Sequence, residues 1–138
     1  MRKTFWIALT ALAGQLFAGG FFLQLGNPDA NPEATKAHAV LVIKAVGCHD
    51  PAGADVTAVA IGKDRRIPLK LTKLSGPGEF ALTQQWPKDG TWVIELTGRN
   101  PDQFTNTLVP AGPNGVDRNH AKFAMKAFTA SDVQSMLE

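Results

Sequence analysis

Four side chains in this sequence could hold a metal ion or move a proton near neutral pH: His38, Cys48, His49 and His120. Two of them are adjacent, in the stretch Val46-Gly47-Cys48-His49-Asp50-Pro51. Thiolate with imidazole is a ligand pair for copper or zinc, and a thiol beside an imidazole is also the start of a nucleophilic site. Both uses need convergence in space. Tetrahedral sites draw on spaced pairs such as Cys-x₂-Cys or His-x₃-His, and neither spacing occurs here. Neighbouring residues on a strand point to opposite faces, so Cys48 and His49 share an ion only where the backbone turns. A catalytic pair would need His38 or His120 to reach Cys48, and no flanking sequence has a thiol-enzyme signature. Cys-His-Asp-Pro-Ala-Gly is instead rich in turn formers, with Asp50-Pro51 opening a turn and Gly53 closing it. The stretch is therefore expected to be a strand end and a turn, with Cys48 as a small apolar residue and Asp50 bonding local backbone. No paired carboxylates, Gly-rich phosphate loop or Ser-His-Asp order stands out. The expectation is no catalytic residue, no cofactor and no enzyme activity.

The formal net charge is +2, with both signs interspersed. Nucleic-acid binding would need Lys and Arg clustered on one face, so no nucleic-acid partner is expected. Gly62-Lys63-Asp64-Arg65-Arg66 reads as a solvated hairpin tip, with contact to lipid phosphates or an acidic partner as the alternative. One cysteine cannot form an internal disulfide, so the fold must be stable from its core.

The elements that must position these residues are short strands. From Val40 onward apolar residues recur with a period of two: Leu41, Ile43 and Ala45; Val56, Ala58 and Ala60; Ile67, Leu69 and Leu71. Phe80, Leu82 and Trp86 continue the pattern, then Trp92, Ile94 and Leu96, a weaker segment around Gln103–Pro110, and finally Phe123 and Met125 as core-facing residues. Pro68 cannot donate to a ladder and predicts an edge strand or a bulge. About seven antiparallel strands without an intervening long helix predict an all-β, two-layer sandwich over residues 38–128. In the tail, 129–138, Thr129 or Ser131 can cap a short helix whose apolar face is Val133, Met136 and Leu137.

Before the strands, Arg2 and Lys3 precede an uncharged run from Phe5 to Leu25. About 20 such residues suffice for a membrane-spanning helix, so residues 1–25 are expected to be an anchor, with a cleaved signal as the alternative. Ala18-Gly19-Gly20 supplies a small-x-small site for that alternative. Positive charges at the N-terminal flank place the rest of the chain outside the membrane, on the periplasmic side of a bacterial inner membrane. Residues 26–37, with two Asn-Pro steps, read as a linker that avoids helix.

Pro77–Leu96 is the most distinctive local pattern. Pro87-Lys88-Asp89-Gly90 is a turn in which proline presets one φ and glycine takes the left-handed position. Trp86 and Trp92 flank it on the apolar faces, which predicts core packing over an exposed ligand platform. The stretch resembles the hairpin of small extracytoplasmic β-sandwich proteins, the YtkA-like and FixH-like groups, within the immunoglobulin-like or transthyretin-like superfold. That resemblance implies a binding or scaffolding role at the membrane with a protein partner, some members being linked to copper. The segment before this hairpin holds neither Met nor His, unlike a soft copper site. Were the chain cut before His38, its new amine and imidazole could chelate copper as in the CopC-type sandwich. The expected function is a membrane-tethered binding module without chemistry. The alternatives are a copper-handling sandwich using His38, Cys48, His49 or His120, and then an enzyme of unrecognised type.

Overall fold

The computed structural model describes residues 20–138. Among the described residues ten strands form two antiparallel sheets around an apolar core. The first sheet has the order β1-β2-β6-β5, with β1 Phe22–Gly26, β2 Ala39–Val46, β5 Leu71–Lys73 and β6 Glu79–Thr83. The second runs β10-β8-β7-β3-β4, with β3 Asp55–Ile61, β4 Arg66–Leu69, β7 Trp92–Asn100, β8 Gln103–Gly112 and β10 Lys122–Ala124. A short β9, Gly115–Val116, folds back on β8. Period-two alternation builds the interior as expected: Leu41, Ile43 and Ala45 face Val56, Ala58, Ala60, Ile94 and Leu96 across the gap.

Pro68 lies on β4, which ends the second sheet, so its missing N–H costs no central ladder bond. One residue later the chain changes sheets. Lys70 bridges β4 and β5, and the Gln85 side chain replaces the ladder there. Its Oε1 accepts from Lys70 N–H at 2.9 Å and its Nε2 donates to Lys70 C=O at 2.9 Å.

The C-terminal helix α2, Ala130–Leu137, is capped by Thr129: its hydroxyl accepts from Asp132 N–H, and the Asp132 carboxylate accepts from Thr129 N–H. Donation from the Thr129 N–H and hydroxyl holds the Asp132 carboxyl below its usual value. Val133 and Leu137 cover Ile61, Val93 and Leu108 on the outer face of the second sheet. Val93 and Leu108 are thereby buried although they point away from the main core. Asn106 pins this layer. Its Nδ2 donates to Leu96 C=O at 3.1 Å and its Oδ1 accepts from Phe128 N–H at 2.9 Å.

The sandwich begins earlier than the sequence suggests. Phe22–Gly26, whose first four residues were expected to close the N-terminal apolar segment, is a strand paired with Val42–Val46. Phe21 and Leu23 are fully buried, and they and Thr105 crowd Gly98 so closely that a Cβ there would lie 2.9–3.1 Å from their side chains. The earlier part of the apolar run, through Gly19, lies outside the described residues. No helix among the described residues is long and apolar enough to cross a membrane.

The expected linker is also structured. Asn27 caps a 3₁₀ turn at Pro28–Ala30, and Asn31 caps α1, Pro32–Lys36, through a bond from Ala34 N–H to its Oδ1. Proline keeps the preceding residue extended, which is the conformation an N-cap needs, and its own ring suits the first helical position. Each Asn-Pro step thus starts a helical turn. Ala34 is fully buried, and the Glu33 carboxylate accepts bonds from the N–H and hydroxyl of Ser75, which hold its carboxyl below the usual value. Residues 26–37 belong to the domain.

Candidate functional site

The four candidate ligands stand on three separate turns. His38 is exposed, just past α1, at φ +60°. Its N–H donates to Thr35 C=O at 3.0 Å, the bond that closes a helix end in a left-handed residue. Cys48 and His49 follow β2, after a turn at Gly47 (φ +82°). β2 alone separates His38 from Cys48 by roughly 26 Å, at about 3.3 Å per residue over eight residues. His120 is exposed in a 3₁₀ turn, its Nδ1 2.7 Å from the Asp117 carboxylate. Among the described residues no three His, Cys, Asp or Glu side chains converge as a metal site would require.

Cys48 is half-buried against the core, while His49 and Asp50 are exposed. Burial first, and then the Asp50 carboxylate, push the Cys48 thiol above its ordinary value. The turn that follows uses backbone rather than the expected carboxylate. Asp50 C=O accepts from Gly53 N–H at 3.0 Å and from Asn100 Nδ2 at 2.9 Å, and the Asp50 side chain makes no capping bond.

Trp86 and Trp92 are both core residues, 3% and 6% exposed. Trp86 lies beyond the end of β6 rather than on it, and its indole N–H meets no protein acceptor. Trp92 donates to Asp89 C=O at 3.1 Å, and Gly90 takes the left-handed turn position (φ +85°). The Gly62–Arg66 tip folds onto the same end. The Arg65 guanidinium lies 5.6 Å from the Trp92 ring centroid, and Arg66 lies 3.6 Å from Glu95. Much of the tip's positive charge is thus occupied within the domain.

The surface feature that the alternation pattern misplaces is on the last strand. Phe123 and Met125, expected in the core, are 51% and 64% exposed. Phe123 pairs in register with the buried Thr107, so its ring does point to the inner side of its sheet. However, β10 ends the second sheet, as β1 ends the first, and an apolar groove opens between them. Phe22, Gln24 and Leu25 form one wall, with Arg118, Asn119 and Phe123 forming the other. Exposed Lys122 and Lys126 bracket the apolar pair. Alternation assigns a side chain to a face but does not say how far the opposite sheet extends. The available signal was the shortness of the segment, three paired residues after a turn at the chain's last strand. No known protein family matches the chain, and neither does any curated protein or solved structure.

Proposed function

We propose that this chain is an extracytoplasmic binding module, an immunoglobulin-like or transthyretin-like sandwich that docks a protein partner and carries out no chemistry. The observation that carries the reading is the exposed Phe123 lining the groove against β1, with the exposed Met125 two residues further along the chain. Contiguous exposed apolar surface costs solubility and marks interaction sites when it sits in a concave, polar-rimmed setting. Edge strand β1, Phe-Leu-Gln-Leu-Gly, contains neither the charge nor the proline with which edges usually repel pairing. The chemistry suits an extended apolar segment of a protein, with Lys122, Lys126 and Arg118 favouring acidic flanks on that partner.

The test is site-specific photo-crosslinking in intact cells of the native host. A photoreactive residue at position 123 should give one adduct of defined mass, while the same residue at Lys73, on the opposite edge, should give none. Phe123→Ser with Met125→Ser should abolish the adduct from a probe at Asn119 and leave the melting temperature unchanged. Equal labelling from both edges, or labelling of lipid alone, would overturn the reading.

A further inference from the structure

The place of Phe21 and Leu23 in the core changes what the preceding residues can do. With Phe22–Gly26 committed to the first sheet, the uncharged run available to a membrane is Thr4–Gly20, seventeen residues. As a helix it would span about 26 Å, short of the roughly 30 Å hydrocarbon thickness. A spanning helix would also have to end where the sheet begins, because Phe21 is already buried and Gly20 lies against Gly47. At Gly47 an added Cβ would come 1.8 Å from the Gly20 carbonyl oxygen, so the two backbones touch. Nothing is left over to space the domain from a bilayer.

The same run fits a different role. Phe5 to Phe17 is thirteen uncharged residues behind Arg2 and Lys3, within the span of an export signal's apolar region, and Ala18-Gly19-Gly20 follows at once with small residues at its first and third positions. We infer that the chain is processed by a signal-type peptidase at the Gly20–Phe21 bond, releasing a sandwich that begins with Phe21 and is not tethered by its N-terminal segment. Water adds its hydroxyl to the Gly20 carbonyl carbon and a proton to the departing Phe21 amine, so one amide is replaced by a carboxylate and an ammonium. The folded domain closes this bond off: β1 pairs with β2 on one side of it, and Gly47 covers the Gly20 carbonyl. Cutting therefore belongs to the extended chain during export, and folding of β1 follows. A cut before His38, which would create an N-terminal copper chelate, is incompatible with this domain. It would remove β1 and α1 and with them Phe21, Leu23 and Ala34 from the core.

This inference rests on the export reading, and the experiment separates the two. The full chain, tagged after Glu138, is expressed in a double-membraned bacterium, fractionated, and its intact mass and N-terminal sequence are measured. The expected product begins at Phe21 and leaves the cell on osmotic shock. Ala18→Leu, which places a bulky residue where the peptidase needs a small one, should leave at least tenfold more uncut chain in the membrane pellet, whereas Ala18→Ser should process normally. Uncut wild-type chain in the membrane, with its domain open to external protease, would overturn processing and leave export standing. Uncut chain in the cytoplasm would overturn both. Cleavage at another bond, or unimpaired cleavage of Ala18→Leu, would overturn the assigned site.

Discussion

The two long edges of this sandwich are built in opposite ways. At one, the chain itself passes from β4 in the second sheet to β5 in the first through the single residue Lys70, and the Gln85 amide occupies both of its backbone groups. Arg66, Pro68, Lys70 and Lys73 line that edge, so it offers charge and a missing donor to any approaching strand. At the other, β1 and β10 end their sheets without charge in the β1 wall, and Phe123 and Met125 remain in water. The first edge is sealed by covalent continuity and polar satisfaction, the second, among the described residues, by the side chains that β1 sends inward. An edge of the second kind is suited to receiving a partner, and its stability depends on a few residues.

The most damaging way to break this contrast is to empty the inward side of β1. Phe21→Ala should cost about 3–5 kcal/mol and Leu23→Ala about 2–5 kcal/mol, because both are fully buried and pack on the Gly98 backbone. Chemical denaturation of the Phe21–Glu138 chain measures this. A loss below about 1 kcal/mol for either would mean that β1 only lies against the sandwich, and the open edge would then begin at β2.

The sealed edge should be less sensitive. Gln85→Ala removes two hydrogen bonds to Lys70 at an exposed position, and water can replace the lost partners, so the expected cost is about 1 kcal/mol. Amide exchange should report it more sharply than melting. The Lys70 N–H should lose protection while those of β3 and β7 keep theirs. Equal loss across the second sheet would show that the crossing governs the whole fold.

How far the sequence reveals these edges depends on what covers each strand. β2 and β3 were legible because one face meets the core and the other meets water or charge, as Lys44, Asp55 and Thr57 show. β8 was hardly legible. α2 covers its outer face, so Leu108 is buried on one side and Thr107 and Val109 on the other, and burial no longer alternates with polarity. Asn106 was invisible for the same reason, since a buried polar residue is recognisable only through the partners that satisfy it. β1 was lost inside a longer apolar run, where Phe22, Leu23 and Leu25 look no different from residues bound for a membrane. The turn at Cys48 was legible in type, although the atoms that hold it are Asp50 C=O and Asn100 rather than a carboxylate.

Cys48 gives the smallest effect and the most local view of the open edge. It packs half-buried against the core cluster that contains Phe21, one residue from Gly47, where the Gly20–Phe21 backbone rests. Burial and the Asp50 carboxylate both disfavour its thiolate, so the thiol ionises at higher pH than an ordinary cysteine. The thiolate is the nucleophile, and its fraction near neutral pH is therefore reduced. Alkylation of the native protein should be several-fold slower than that of free cysteine at pH 7.5, and its rate-against-pH curve should be displaced upward. Cys48→Ala should change stability by less than about 1 kcal/mol, because a half-buried thiol leaves little cavity. In Phe21→Ala, where the end of β1 is loosened, the same thiol should react faster under native conditions while a probe cysteine placed at Lys73 keeps its rate. A rate at Cys48 equal to that of free cysteine in the unsubstituted protein would show that this end of β1 is already open, and that the two edges differ in exposure alone.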